Sequence, residues 1–231
     1  MICSRFDVTN QLLLQLPADQ REALLADASF VHLPVGDTIA RVGDRVSEVL
    51  FPDSGVVSVV SHMRSGHQLA VAAVGAEGML GLGALFGFDR HSLSLLVLVE
   101  VSGRRVAAGR LTSLFEGSAI VRRVLLAHVG SRTRELLTAS ACNRVHSHRQ
   151  RLARWLLVAA DKAGRTSLAV THETLALMVG GPRHAVTVAL NDLRRKGAIA
   201  HLRGRLEIRD RAALVSQACE CYAAPVGPRR S

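Results

Sequence analysis

Hydrophobic positions change their spacing three times along the chain. Near the start, residues 10–17 and 19–27 predict a short amphipathic helix, capped by Asp19, that buries Ala23, Leu24 and Ala26. From Phe30 to about Val106 short apolar runs take over, at Glu48–Phe51, Val56–Val60, Leu69–Val74 and Leu93–Val99. Turn residues separate them at Pro34–Asp37, Val42–Asp44, Pro52–Gly55, Arg64–Gly66 and Val74–Gly78, so this segment predicts a β-sandwich or barrel. The stretch from Glu116 to about Ala141 holds no proline and places Ile120, Val121, Val124, Leu125, Leu136 and Leu137 at helical offsets. A helix of roughly 26 residues spans about 39 Å. Its apolar stripe needs a partner, and a second copy of the chain is the economical one.

The last third predicts three helices and a hairpin. Leu152, Trp155, Leu156 and Ala159 form one face of a helix that Gly164 stops. Thr171 caps the next, with Glu173 in its first turn and Leu175, Met178 and Val179 inside. Gly180-Gly181-Pro182 ends that helix and starts another, whose buried stripe is Val186, Ala189, Leu190 and Leu193. Two strands around an Arg203-Gly204 turn follow, over 199–208. Helix, tight turn, helix and β-hairpin compose a winged helix-turn-helix.

Charge sharpens this division. Residues 1–130 carry 11 basic and 12 acidic side chains, a net −1; residues 131–231 carry 18 and 7, a net +11. An even solubility charge would be spread along the chain, so the basic half is the one that faces a polyanion, and duplex DNA is the usual one. On the helix after Pro182 the apolar stripe leaves Arg183, His184, Thr187, Val188 and Asn191 outward. Side chains at that end of such a helix reach base edges: Arg183 can fork onto guanine O6 and N7, and Thr187 can meet a thymine methyl. Thr171, Arg194, Arg195, Lys196, Arg203 and Arg205 surround this surface as phosphate contacts.

The longest stretches without a charge, Ser65–Ala76 and Gly78–Phe88, are short and glycine-studded, so neither a membrane helix nor membrane partnership is expected. The N-terminal residues lack the basic segment and apolar run of a secretory signal, and a cytoplasmic protein is expected.

The order of these features resembles the Crp/Fnr family of transcription regulators, relatives of the cyclic-AMP receptor protein, over about residues 12–212. The shared pattern is Gly36, Gly43-Asp44, Gly55 and Gly75, then a long helix, then Val170-Thr171, Val179-Gly180, Arg183 and Val186. The resemblance implies an α+β fold: an N-terminal β-roll of the cyclic-nucleotide-binding jelly-roll kind, a long dimerisation helix and a C-terminal winged helix-turn-helix. It divides the chain into a sensor domain with its N-terminal helix (1–115), a dimerisation helix (116–141), a DNA-binding domain (142–212) and a tail (213–231). It further implies a homodimer on an inverted-repeat site and, for an activator, contact with RNA polymerase. Where the family's recognition helix commonly carries Arg-Glu-x-x-x-Arg, this chain keeps Arg183 but has His184 and Val188, so its operator differs.

Nucleotide binders of the family place a Gly-Glu pair on the ribose and an Arg-Ser/Thr pair on the phosphate. Counted from Gly75, the arginine position is Arg90, followed by His91 and Ser92, but the ribose glutamate position is Leu80 and Glu77 lies out of register. Gly75, Glu77, Gly78, Arg90 and Ser92 are the candidate effector residues; cyclic AMP is not expected to bind, and no cofactor is expected. A nucleotide-binding subunit acting through another protein is an alternative that the basic C-terminal third disfavours.

A cupin-like metal enzyme is a further alternative. His62 and His67 lack the spacing of such a site, and His146 and His148 point apart on a helix. Cys3, Cys142, Cys219 and Cys221 follow none of the common zinc spacings and are expected to be free thiols, with no metal bound. Cys3 and Cys142 do not supply the cysteine cluster that iron–sulfur sensing requires.

Overall fold

In the computed structural model residues 8–202 and 205–222 are described. Two compact units divide the chain: one, built on a large sheet, takes the residues up to Ser61 and Ala72–Gly130, and the other takes His62–Val71 and the residues from Ser131 onward.

The first unit opens with a 3-10 turn at Leu13–Gln15 and helix α1, Ala18–Leu25. Pro17, not Asp19, occupies the cap position of α1; proline brings its backbone angle already set, and Asp19 sits in the first turn, where its charge meets the helix dipole. Only Leu24 of the expected trio is buried, because Ala23 and Ala26 face solvent. Five strands follow: β1 (Ser29–Leu33), β2 (Thr38–Ala40), β3 (Glu48–His62), β4 (Gln68–Val74) and β5 (Ser94–Ala107). They form one sheet in the order β1-β5-β3-β4, with β2 also on β5.

The apolar runs at Glu48–Phe51 and Val56–Val60 are one strand. Pro52–Gly55 is no turn: the β3–β5 register slips at Pro52/Ser54, Ser54/Val56 and Val56/Val57, so the chain kinks and continues. Glycine is required there twice. Gly55 has φ +86°, and a Cβ on it would lie 2.1 Å from the Glu100 carbonyl oxygen. A Cβ on Gly103, across the ladder, would lie 2.4 Å from the Phe51 carbonyl oxygen.

Strand alternation feeds two cores. Val49 and Phe51 point one way, to Leu12, Leu24, Met79, Leu111, Val121 and Leu125; Leu50 points the other way, to Leu80, Leu95, Val97 and Val101 inside the roll. Burial on both faces is why the run reads as continuously apolar. A buried ion pair pins the N-terminal segment to the sheet. Asp53 accepts from the Thr9 and Asn10 amides at 2.9 and 3.0 Å and pairs with Arg104, itself buried.

Helix α2 (Ala108–Gly117) ends at a break at Ser118, whose hydroxyl accepts from the Val121 amide and starts the long helix α3, Ala119–Val145. The long helix therefore begins and ends later than 116–141, and it runs through Gly130 without interruption.

The second unit holds the end of α3, then α4 (His148–Ala163), β6 (Ser167–Leu168), α5 (His172–Val179), α6 (Arg183–Arg195), β7 (Ile199–Leu202), β8 (Arg205–Ile208) and α7 (Arg211–Gln217). A reciprocal capping box of Ser147 and Gln150 opens α4, and Gly164, at φ +61°, closes it. Leu152, Leu156, Ala159, Leu175, Val179, Val186, Leu190 and Leu193 form the buried interior. The hairpin gains a third strand, since β6 pairs with β8. Residues beyond 212 are partly helical: α7 packs on α4, and a 3-10 turn spans Glu220–Tyr222.

Candidate nucleic-acid interface

Two helices build this surface, and their local chemistry explains its geometry. The Thr171 side chain accepts from the Thr174 amide at 3.1 Å and so fixes the start of α5. Gly180, at φ +66°, ends α5 and lets the chain turn. Pro182 then stands at the cap of α6 with no side-chain acceptor there. The first amides of α6 thus have no side-chain cap.

Arg183, His184, Val188 and Asn191 are exposed and Thr187 half-buried, while Val186, Ala189, Leu190 and Leu193 are buried. The helix therefore separates an outward row from a core-facing row. Arg183 Nη2 donates to Glu173 Oε1 at 2.8 Å. Its remaining guanidinium donors stay available for a guanine edge. Thr187 Oγ1 donates back to the Arg183 carbonyl at 3.0 Å, so its proton is spent within the helix and its methyl group and oxygen lone pairs are what it can offer a ligand. Val188, 63% exposed, is an apolar surface suited to a thymine methyl.

The candidate phosphate contacts are not equivalent. Arg194 is exposed and only lightly held by Asn191 at 3.3 Å. Arg195 is paired with Asp192, which also lies 3.6 Å from Arg149. The hydrogen bond from Arg195, with the charges of Arg149 and Lys196, holds the Asp192 carboxyl below its usual range. Lys196 and Arg205 are exposed, with no ion pair to an acidic group among the described residues. Thr171 is exposed and serves as the α5 cap. Arg203 lies outside the described residues.

In the sheet unit, the candidate effector residues make local contacts. The Glu77 carboxylate accepts from the Gly75 amide at 3.1 Å and closes its own turn. Gly78 is buried, and a Cβ there would lie 2.8 Å from the His128 ring. Arg90 Nη1 donates to the Gly43 carbonyl at 2.8 Å, and Ser92 is exposed. None of the five lines the roll's cavity of about 170 Å³, which is bounded instead by Leu50, Leu80, Leu95, Asp44, His91 and Arg105, among others. Burial pushes the His91 imidazole below its ordinary pKa, against the opposing effect of Asp44. Sequence reading missed these polar groups because they come from three separate strand ends.

Two family models match the sequence. One, described as a cyclic nucleotide-binding domain, covers residues 30–118; the other, a Crp-like helix-turn-helix domain, covers residues 150–216. No curated protein sequence matches the chain. Among solved structures, FixK2 from Bradyrhizobium japonicum superposes with a TM-score of 0.71 at 18% identity, over 83% of this chain and 98% of that one. A CRP-family transcriptional regulator from Thermus thermophilus gives 0.69 at 23% identity, over 81% and 96%. CLP of Xanthomonas campestris, described as a c-di-GMP responsive global regulator, gives 0.69 at 18% identity, over 84% and 100%.

Proposed function

Because the chain belongs to the Crp/Fnr family of transcription regulators, we propose that it binds an inverted-repeat DNA site as a cytoplasmic homodimer and needs no cyclic nucleotide to do so. It is a regulator of transcription and not an enzyme. The observation that carries the reading is the outward row of α6, Arg183, His184, Thr187 and Val188, set in a segment of net charge +11. Arg183, His184, Thr187 and Val188 read base edges; Thr171, Arg194, Lys196, Arg203 and Arg205 hold phosphates, and Arg195 joins them once its pairing with Asp192 loosens.

Two copies associate along α3. Leu126, Gly130, Thr133 and Leu137 recur at helical spacing and are all exposed, Leu137 at 67%. A matching helix covers such a stripe, and Gly130 lets the two backbones approach. The two recognition helices then address half-sites about one helical turn apart. No described helix is long and apolar enough to cross a membrane. As an activator, the dimer meets RNA polymerase beside its site.

Leu80 supports independence from cyclic nucleotides. It is 3% exposed, and its amide and carbonyl bond to those of Leu50, so this position is part of the roll's wall. It offers a ribose hydroxyl nothing, and burying an unpaired hydroxyl costs about 1–3 kcal/mol. Footprinting with the purified protein on its own promoter regions, without added nucleotide, tests the proposal: protection of a two-fold-symmetric site supports it, and protection that appears only with cyclic AMP overturns it.

A further inference from the structure

The last turn of α3 and the 3-10 turn after α7 bring four soft ligands together. Cys142 and His146 lie four residues apart on one helical turn, with the His146 amide bonded to the Cys142 carbonyl at 3.1 Å. Cys219 and Cys221 flank Glu220 at the other side. Cys142 Sγ is 3.5 Å from Cys219 Sγ, Cys221 Sγ is 3.8 Å from His146 Nδ1, and all four ligand atoms lie within 4.8 Å of one another. Spacing along the chain leads one to expect free thiols, and Cys142, Cys219 and Cys221 are unbridged, but the fold gathers them at one place.

We propose that Cys142, His146, Cys219 and Cys221 form a closed Cys3His site for one zinc(II) ion that fastens the C-terminal segment to the end of α3. Bonds of about 2.3 Å to sulfur and about 2.0–2.1 Å to nitrogen, arranged tetrahedrally, set ligand atoms roughly 3.5–3.8 Å apart. The separations of 3.5 and 3.8 Å lie in that range and none exceeds 4.8 Å, so side-chain shifts of about 1 Å complete the tetrahedron. A disulfide needs its sulfurs about 2.05 Å apart.

Two surrounding groups are arranged as a metal site requires. His146 Nε2 is 3.1 Å from both carboxylate oxygens of Glu220, which places its proton on Nε2 and turns the Nδ1 lone pair toward the cysteines. Arg154, half-buried on α4, has its Nε buried without an acceptor, and its charge acts on both Cys142 and Cys221. Three thiolates and one divalent ion sum to −1, which this guanidinium balances. Without metal, burial and the neighbouring Cys219 push the Cys142 thiol up to about 12, so its ligation to zinc as a thiolate releases a proton. Four protein ligands leave no open position, which makes the site structural rather than catalytic. The inference is independent of DNA binding.

The full chain, purified with reductant and without chelator, is analysed for metal content and intact mass, and the apo form is titrated with cobalt(II). The expected result is about one zinc per chain and, with cobalt, the visible bands of a tetrahedral thiolate complex. Cys221→Ser, which leaves two of the three thiolates, lowers the intensity of the thiolate bands. Glu220→Gln, which keeps all four ligands, weakens zinc roughly 10–100-fold. A metal-free reduced protein whose cobalt spectrum stays octahedral overturns the proposal. So does an intact mass showing a Cys142–Cys219 disulfide that persists when zinc is supplied with reductant.

Discussion

Arg183 at the head of α6 donates to Glu173 in the first turn of α5 at 2.8 Å, with both side chains largely exposed. The side chain that would read a guanine is thus aimed by a carboxylate one helix earlier. An exposed pair holds little energy by itself, and its value is orientation. Arg183→Ala is expected to cost about 1–3 kcal/mol on the preferred site and little on random duplex. Glu173→Gln leaves the arginine unaimed and removes a negative charge from a phosphate-facing surface, so it strengthens binding to random DNA and narrows the ratio between specific and random sites. Fluorescence anisotropy on both kinds of duplex measures the two effects; equal losses on both for Arg183→Ala would remove α6 as the reader.

Arg194 and Arg205 have the opposite signature. Each faces solvent without a carboxylate partner among the described residues, so Arg194→Ala and Arg205→Ala are expected to weaken all sequences alike and to lower the salt dependence by about one released counterion each. Titration across a range of salt concentrations checks this, and a change confined to one base preference would contradict it.

Leu137 is 67% exposed, so replacing it leaves the chain's own core intact. Leu137→Asp is expected to convert the dimer to folded monomers and to abolish tight operator binding, because one recognition helix retains only half the contacts. Sedimentation velocity and circular dichroism together test it: a variant that remains dimeric places the interface elsewhere.

The sheet unit depends on a buried charge pair and a kinked strand. Asp53→Ala strands Arg104 in the interior, where loss of one partner costs about 3–5 kcal/mol. Gly55→Ala forces a Cβ against the Glu100 carbonyl and a strained positive φ, for a loss on the order of 1–3 kcal/mol. Thermal or urea unfolding reads both. A variant as stable as the parent would show that the kink relaxes freely.

Calorimetry with cyclic AMP and cyclic GMP is expected to detect no micromolar binding, since Leu80 is part of the buried wall and offers a ribose hydroxyl no partner. Heat that Arg90→Ala eliminates would contradict this.

Legibility from the sequence follows the range of the interactions involved. The stripe Val186, Ala189, Leu190 and Leu193, the Thr171 cap and the Gly180–Pro182 turn are local, and periodicity with turn chemistry was enough to place them. Pro52–Gly55 misled because proline, aspartate, serine and glycine suit a bulge as well as a turn; only the partner strand β5 distinguishes them. The roll's cavity and the cysteine cluster were invisible for a further reason. Cys142 and Cys219 are 77 positions apart, and nothing in their spacing shows that α7 folds back onto α4.

Selection of bound sequences from a random duplex pool by the purified protein, with no nucleotide added, tests the central claim most directly. The expected result is enrichment of an inverted repeat whose half-sites are centred about one helical turn apart, with Arg183→Ala losing preference at one base of each half. Enrichment of an unpaired motif, or no enrichment beyond that of random duplex, would contradict it.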